Sequence, residues 1–587
     1  MSLPLQFFFL PIKISDFRKR GSLRAVPIFC ALITTCVVVG ATAQEQARKS
    51  ESRSTETPST ETARDAYIGN ETCAKCHSSI YNSYKQTPMA HASGLSMENI
   101  IPADFTHQAS GVHYRIYADA GRAWLTFDRD GNDPIHGKRE LLYDIGSGRR
   151  ALTYLFADDG FVFESPINWY GDRHLWDMTP AYQNVREIPL NLPAHTSCLH
   201  CHVSGMRAPL QGTENRYDMP LLAHSGVSCE RCHGPAAAHI KGGPIVNPAK
   251  LSPERRDAIC MQCHMEGRVS IERAGRHIYD FRPGDSLFDY VRYYVLTDAS
   301  SSQLGAVSQV EALALSTCKK ASGDKMSCTS CHDPHFTPSA QERVKYFRGK
   351  CLACHGASFA EKHHAEQKDC TICHMPESPS KDVAHTQVTD HRVPRVPTVS
   401  PQLLQDTNAS APKPGLLPFP DSQAAEDDLR DLALAWESLA NSGMSEARPV
   451  AKAMLGRSAT QFPDDPATLS ALAYEKQLHA DLAGARILYQ RALAADPNLI
   501  DAATNLGVLE AQSGNFPEAV KLLQSAFQRA PGRSSLGMDL ARVFCLEGKT
   551  AEARASVVRV LEFNPDMGVA KRLLEDLNHP KPSCTGN

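Results

Sequence analysis

Residues 229–235 read Cys-Glu-Arg-Cys-His-Gly-Pro, and the first five follow a pattern that occurs seven times in the chain. In each copy two cysteines are separated by two residues and are followed at once by histidine. Two intervening residues let both thiols reach the two vinyl groups of one haem as thioethers, and the adjacent histidine then faces the iron. The pattern therefore predicts seven covalently bound c-type haems.

The predicted sites divide into attachment cysteines and proximal iron ligands. The attachment cysteines are Cys73, Cys76, Cys198, Cys201, Cys229, Cys232, Cys260, Cys263, Cys328, Cys331, Cys351, Cys354, Cys370 and Cys373. The proximal ligands are His77, His202, His233, His264, His332, His355 and His374. Two other interpretations of the cysteine pairs are zinc knuckles and local disulfides. Neither requires a histidine directly after the second cysteine, so both are disfavoured.

The excess of histidine indicates a second axial ligand at several of the irons. Seven histidines close to a motif are our candidate distal ligands: His91, His195, His224, His239, His335, His385 and His391. His200 lies inside a motif and is sterically a poor ligand. His107, His113, His136, His174, His277, His363 and His364 are interpreted as ordinary solvated or hydrogen-bonded histidines.

The N-terminal 43 residues have the features of an export signal. Basic residues between 18 and 24 precede an apolar run over 26–40 that is too short for a comfortable membrane span, and small residues follow at 41–43. We predict a signal peptide over 1–43, with an uncleaved anchor as the alternative, and then a disordered tether over 44–66 rich in Ser, Thr, Glu and Arg. The expected location is periplasmic or otherwise extracytoplasmic, with no integral membrane domain beyond the signal.

Residues 67–395 contain every motif and are predicted to form a heptahaem cytochrome domain. This domain has little polypeptide for seven cofactors. We therefore predict a helix-and-loop fold in which the haems themselves fill much of the apolar core. The alternating segments 113–117 and 123–127 predict a small antiparallel β insertion at about 105–175, between the first and second motifs. Residues 396–424, rich in Pro, Ser and Asp, form the predicted linker.

The C-terminal part shows a 34-residue repeat. Pro463, Pro497, Pro531 and Pro565 have this spacing, and leucine and alanine positions keep the same period. The period is typical of the tetratricopeptide repeat, an α-solenoid of stacked helix pairs, which we predict over 425–580. The predicted fold class is therefore mainly α, with the β insertion the exception.

The net charge of the chain argues against one class of function, and the cysteines outside the motifs have interpretations of their own. The formal charge is −3, and it falls to −7 without residues 1–43, which argues against nucleic-acid binding. Cys318 is interpreted as an inert thiol or as a thiolate near a haem edge, Cys545 as a core residue, and Cys584 as part of a frayed tail.

Residues 67–77 (YIGNETCAKCH) with 84–92 (YKQTPMAHA) resemble the opening of the cytochrome c-552/c-554-type multihaem cytochromes. The segments 229–239, 328–335 and 383–395 resemble further elements of that family. The resemblance covers about 67–395 and implies distal ligation by His91 and His239. Relatives with assigned roles shuttle electrons or reduce small nitrogen or sulfur oxyanions, but seven motifs and the β insertion depart from the tetrahaem pattern.

The leading functional hypothesis is an electron carrier with two kinds of partner: a redox protein, and a peptide or helix bound by the repeats. The alternative is a multihaem oxidoreductase that acts on a small nitrogen or sulfur compound at one haem with an open coordination position. No catalytic residue is identified in the sequence. The first motif, isolated in sequence, and the cluster of Trp169, Tyr170, Arg173 and His174 are places to look for such a site.

Overall fold

The computed structural model describes residues 67–131, 133–182, 185, 187–296, 304–363, 366–395, 415–420, 428–580 and 582–584. The predicted signal peptide, the predicted tether and most of the predicted linker lie outside these residues. No helix in the described ranges has the length and apolar character needed to cross a membrane. Helices predominate, and two small antiparallel sheets pack together early in the chain, so the predicted fold class is confirmed.

Ten short α-helices lie in the described part of the cytochrome region. They are α1 (Asn70–Ala74), α2 (Ser78–Tyr84), α3 (Thr196–His202), α4 (Glu230–His233), α5 (Pro253–His264), α6 (Gln309–Leu315), α7 (Thr317–Ser322), α8 (Arg343–His355), α9 (Ala357–Lys362) and α10 (Cys370–His374). Six of them (α1, α3, α4, α5, α8 and α10) contain all or part of a cysteine motif, whereas the fifth motif begins in a 3₁₀ turn over Cys328–Ser330. Helices α3, α4, α5, α8 and α10 all end at the histidine of a motif. A helical turn places residues i, i+3 and i+4 on one face, so both cysteines and the histidine of a motif at the end of such a helix point the same way.

Several of these helices have no protein core around them. Helix α8 spans 13 residues and has no buried residue, and the shorter α1 and α10 have none either. Helices of that length are marginal in water unless an apolar face is covered. The polypeptide around the later motifs therefore needs another apolar partner to fold.

The β insertion is a two-layer sandwich that extends over 93–178, somewhat beyond the predicted 105–175. One sheet is a meander of β2 (Ala103–His107), β3 (Val112–Asp119), β4 (Arg122–Arg129) and β5 (Ile135–Leu141). The other has the order β1 (Ser93–Leu95), β6 (Tyr143–Ile145), β7 (Ala151–Asp158), β8 (Phe161–Tyr170), β9 (Leu175–Met178). Inward residues such as Tyr114, Leu125, Phe156 and Phe163 join both sheets into one core.

Two smaller sheets lie among the later motifs. Strands β12 (Glu377–Pro379) and β13 (Gln387–Thr389) form a hairpin. Strands β10 (Val269–Glu272), β11 (Val291–Leu296) and β14 (Leu416–Phe419) form a three-stranded sheet. Because β14 comes from the predicted linker, part of that segment is built into the cytochrome region.

The C-terminal helices form antiparallel pairs. They are α11 (Leu429–Asn441), α12 (Ala447–Gln461), α13 (Pro466–Leu478), α14 (Leu482–Ala495), α15 (Ile500–Gln512), α16 (Phe516–Arg529), α17 (Ser534–Leu546), α18 (Thr550–Phe563) and α19 (Gly568–Asp576). The phased prolines follow the ends of α12, α14, α16 and α18, where a residue without an N–H stops a helix. This array is the predicted α-solenoid.

The loops between successive repeats pack against the cytochrome region. The ring of Phe563 lies 4.8 Å from that of Phe163 in the β sandwich, and Asp566 accepts two hydrogen bonds of 2.7 Å from Arg129. Arg533 binds Glu214 at 2.8 Å, and both are largely buried. One edge of the solenoid is thus occupied by the chain's own cytochrome region.

A disulfide joins Cys545 to Cys584, across 39 residues. The expectation that Cys584 lies in a frayed tail is therefore wrong, because its side chain is buried against helix α17. Cys545 is a core residue, as expected. Sequence spacing alone could not pair these two cysteines, since their contact depends on how the last helices stack.

Opening the disulfide should loosen the end of the repeat domain. We expect Cys584→Ser to lower its free energy of unfolding by about 2–4 kcal/mol, because the bond restricts the unfolded chain. Thermal unfolding followed by circular dichroism with and without a phosphine reductant measures the effect. The reductant should lower the melting temperature of the native protein and of a Cys318→Ser control, but leave that of Cys584→Ser unchanged.

The turns inside the repeats need a left-handed residue. Gly514 and Gly548 have φ of 79° and 76°, and Ala480 takes the corresponding place at φ 60°. A side chain in this conformation costs about 1–2 kcal/mol. Gly514→Ala should therefore lower the melting temperature, whereas Ala480→Gly should preserve or raise it. Gly456→Ala, in an exposed helical position with open space around it, is the control and should stabilise.

Candidate functional site

One continuous cavity of about 4030 Å³ is bordered by all fourteen motif cysteines and all seven motif histidines. Shared equally, it offers about 580 Å³ to each motif, within the range of about 300–1,000 Å³ that is usual for cofactor sites. The side chains of Ile80, Ile240, Leu315, Phe336 and Phe359 border it too, and each is exposed in the polypeptide alone. Apolar residues on the wall of a large cavity fit the flat apolar faces of porphyrins.

The motif cysteines themselves are available for attachment. All fourteen carry free thiols, so they do not form the local disulfides of the alternative interpretation. Within the described ranges, no group of three or more Cys, His, Asp or Glu side chains has a geometry that would hold a metal ion by itself. The chemistry of the donor set therefore fits thioether attachment.

Backbone carbonyls orient several motif histidines. The Nδ1–H of His202 donates to the carbonyl of Ala92 at 3.1 Å, that of His233 to Val246 at 2.9 Å, and that of His374 to Pro394 at 2.8 Å. A carbonyl can only accept, so the proton lies on Nδ1 and Nε2 keeps its lone pair. Such a hydrogen bond fixes the tautomer and ring plane of a metal-binding histidine.

Burial favours the neutral form of four histidines at the cavity: His202, His264, His332 and His391. It lowers the pKa of His332 to about 4, with the neighbouring His391 and His264 adding to the effect. Burial likewise lowers the pKa of His202, His264 and His391. The neutral imidazole is the form that binds a metal ion, so these side chains need not lose a proton first.

Three histidines outside the motifs lie opposite a motif histidine. The ring centroids are 6.0 Å apart for His233 and His335, 6.3 Å for His332 and His391, and 6.0 Å for His374 and His363. Metal–imidazole bonds are about 2.0–2.1 Å, so two imidazoles on opposite sides of one ion have centroids about 6–6.5 Å apart. His335 and His391 were candidate distal ligands. His363 was not, and only its closeness to a motif could have drawn attention to it.

Two further candidate distal ligands, His195 and His239, border the cavity. The Nε2 of His195 is buried and has no hydrogen-bond partner, and burial lowers the pKa of this side chain. The Nδ1–H of His239 donates to the carbonyl of Gly243 at 3.2 Å, which leaves its Nε2 as the acceptor. Both side chains therefore offer a nitrogen lone pair at the cavity.

The other three candidates lie away from the cavity wall. The Nε2 of His91 is 2.7 Å from the carbonyl oxygen of Lys85. The Nε2 of His385 is 2.6 Å from a carboxylate oxygen of Asp177. The ring of His224 packs close to Gly69, at the start of helix α1. His91 and His385 would each have to exchange a hydrogen bond for a metal bond.

The motifs follow a different order in space from that in the sequence. The thiol of Cys73 lies close to that of Cys229, Cys201 to Cys263, Cys260 to Cys328, and Cys351 to Cys370. The first motif thus meets the third, the fourth meets both the second and the fifth, and the sixth meets the seventh. The first motif is isolated in sequence but not in space.

A buried carboxylate locks the first and third motifs together. Glu230, inside the third motif, accepts hydrogen bonds from the backbone N–H groups of Ile68, Gly69 and Ala236 at 2.9–3.1 Å. Asn70 accepts another from the N–H of Cys229 at 2.8 Å. Charged acceptors strengthen such bonds, so this contact positions the two motifs firmly.

The aromatic cluster considered for a catalytic site is mostly structural. Tyr170 is buried and its hydroxyl donates to the carbonyl of Met178 at 2.8 Å, while Trp169 packs against Trp176. Only Arg173 of the four residues borders the cavity. A different polar group faces the second motif: Glu164 is fully buried beside Cys198, and burial raises its pKa to about 7.

The fold and the site together define a multihaem c-type cytochrome joined to tetratricopeptide repeats. Residues 172–234 match the family model described as cytochrome c554 and c-prime, and residues 510–577 match that of the tetratricopeptide repeat. Over 233 residues the chain is 27% identical to the multiheme cytochrome MtrA of Shewanella baltica (strain OS185). This alignment covers 36% of the present chain and 66% of MtrA. The architecture suspected from the sequence is confirmed, and covalent haem c follows from it.

Two solved structures are also similar. MamA (AMB-1) is 23% identical over 25% of this chain and 83% of its own, with a TM-score of 0.23. The Pseudomonas aeruginosa protein PilF is 23% identical over 25% of this chain and 68% of its own, again with a TM-score of 0.23.

Glu164 should make stability depend on pH. Its carboxyl has an ordinary pKa near 4.5 when unfolded and about 7 when folded, so the unfolded state loses its proton first. Stability should therefore fall as pH rises from about 4.5 to 7, by about 3 kcal/mol from this group. Glu164→Gln should flatten the change in melting temperature between pH 5 and pH 8, whereas the exposed control Glu98→Gln should not. Equal pH dependence in both variants would contradict this assignment.

Proposed function

We propose that this protein is an exported electron-transfer cytochrome that binds seven haems, with its repeat domain docking a protein partner. The observation that supports this most strongly is that every motif cysteine and histidine borders a single cavity. When bound, haem c supplies reversible Fe(III)/Fe(II) chemistry. A connected cavity is what an electron carrier needs, because it lets the cofactors lie in contact with one another.

In this proposal the fourteen motif cysteines attach the haems and the seven motif histidines are the proximal ligands. His335 is the distal partner of His233, and His391 that of His332, on the basis of their ring separations. His195 and His239 are distal ligands at other motifs. The roles of His91, His224 and His385 remain predictions from the sequence.

The contacts between motifs suggest a branched arrangement. The fourth motif contacts the second through Cys263 and the fifth through Cys260, and Cys232 of the third lies close to Cys263. The fourth motif is therefore the proposed junction, and the second a side branch that faces the β sandwich. The first motif and the pair formed by the sixth and seventh lie at opposite ends of this order.

Export is supported by two observations. The sequence begins with features of a signal peptide, and the disulfide between Cys545 and Cys584 is a type of bond that persists in oxidising compartments. The similarity to MtrA, a multiheme cytochrome, points the same way. We propose a periplasmic or other extracytoplasmic location.

The repeats have a free edge for a partner. Their inter-repeat loops already contact the cytochrome region, whereas Leu478 and Leu482 flank an intra-repeat turn at the other end of the helices and are 40% and 44% exposed. Exposed leucines at a repeat edge suit a protein partner. Helix α15 is a less obvious site for the peptide or helix expected from the sequence, because its residues 502–511 are all buried.

Haem content tests the proposal directly. The mature protein, purified from a host that attaches c-type haems, should have the mass of the polypeptide plus seven haem groups and should stain for haem after denaturing electrophoresis. A Cys351→Ala/Cys354→Ala variant should lose one haem, and Cys318→Ala should lose none. A native protein with fewer than seven haems would contradict the stoichiometry.

Spin state separates a carrier from an enzyme. In an electron carrier all haem irons should be low-spin in both redox states, and the reduced protein should not bind carbon monoxide. A high-spin signal that shifts on adding nitrite or carbon monoxide would instead favour the oxidoreductase.

A further inference from the structure

The sixth and seventh motifs are held side by side. Helix α8 carries Cys351 and Cys354, helix α10 carries Cys370 and Cys373, and the thiols of Cys351 and Cys370 are in contact. Between these helices lies α9, and His363 follows its last residue, Lys362. The chain therefore returns towards the seventh motif immediately after leaving the sixth.

His363 faces the histidine of the seventh motif. The two ring centroids are 6.0 Å apart with an angle of 33° between the planes, and both side chains border the cavity. The pairs formed by His233 with His335 and by His332 with His391 have the same arrangement, at 6.0 and 6.3 Å. Each pair combines one motif histidine with one histidine from elsewhere, at the separation expected for two imidazoles on one metal ion.

The hydrogen bond of His374 supports a metal site between the rings. Its Nδ1–H donates to the carbonyl of Pro394 at 2.8 Å, so its Nε2 is the nitrogen left for coordination. A competing explanation is simple ring packing, because Phe359 lies between His355 and His363 at 5.1 and 4.9 Å. Ring packing on Phe359 needs an aromatic side chain at 363, but no nitrogen.

We propose that His363 is the second axial ligand of the haem attached at Cys370 and Cys373. This inference rests on the proposed function only in requiring a haem at the seventh motif. With both axial positions filled by histidine, this site is closed to small molecules and serves electron transfer alone. The ligand also ties α9 to α10, a helix that has no buried residue.

The test compares three variants of the full-length, haem-loaded protein. His363→Phe keeps an aromatic ring for Phe359 but removes the ligand, His363→Met replaces the ligand with a thioether, and His364→Phe changes the adjacent histidine as a control. Intact mass first establishes that each variant carries seven haems. That readout depends on haem attachment and not on the identity of the distal ligand, so it separates failure of the proposed function from failure of this inference.

Magnetic circular dichroism and electron paramagnetic resonance then report ligation. We expect His363→Phe to convert one haem in seven to the high-spin state and to bind one equivalent of carbon monoxide when reduced. His363→Met should raise the reduction potential of one haem, and His364→Phe should match the native protein. Unchanged spectra in His363→Phe, or the high-spin haem appearing in His364→Phe instead, would overturn the proposal. If neither His363 variant can be produced, the Nε2–iron distance in a crystal structure of the native protein decides.

Discussion

The structure depends on the large cavity that the motif cysteines and histidines border, where apolar side chains such as Ile80 and Phe359 are not covered by protein. A thioether holds a large apolar cofactor in place without a deep protein pocket. Few residues are then needed around each cofactor. Helix α8 shows the consequence, since none of its 13 residues is buried by protein although Tyr346, Phe347 and Leu352 border the cavity. Apolar side chains in this arrangement gain burial only against the cofactor.

The two largest hydrophobic cores among the described residues lie in the repeats and in the β sandwich. Phe563 from the end of helix α18 packs into the core of the sandwich, and Arg533 and Asp566 add buried ion pairs across the same contact. At the first repeat, Asp428 and Asp431 at the start of helix α11 bind Arg273 near strand β10. The repeat domain is therefore attached to the cytochrome region along one edge.

Local patterns predicted much of this architecture. The spacing of cysteine and histidine predicted where the motifs lie, alternation predicted the β insertion, and the 34-residue period predicted the helix pairs. Each of these depends on residues close together in the chain. The disulfide of Cys584, the incorporation of residues 416–419 into a sheet, and the pairing of His363 with His374 were missed. They join segments far apart in sequence or depend on exact ring positions that no short pattern encodes.

The sequence by itself determined the chemistry: thiols and an imidazole at fixed spacing can attach one haem each, whatever the surrounding fold. Only the tertiary structure decided which motifs lie next to each other. Glu230 and Asn70 bring the first motif, distant in sequence, against the third, and the fourth motif lies between the second and the fifth. The physical reason is that haem attachment is encoded within five residues, whereas contact between motifs results from the packing of segments up to 162 residues apart.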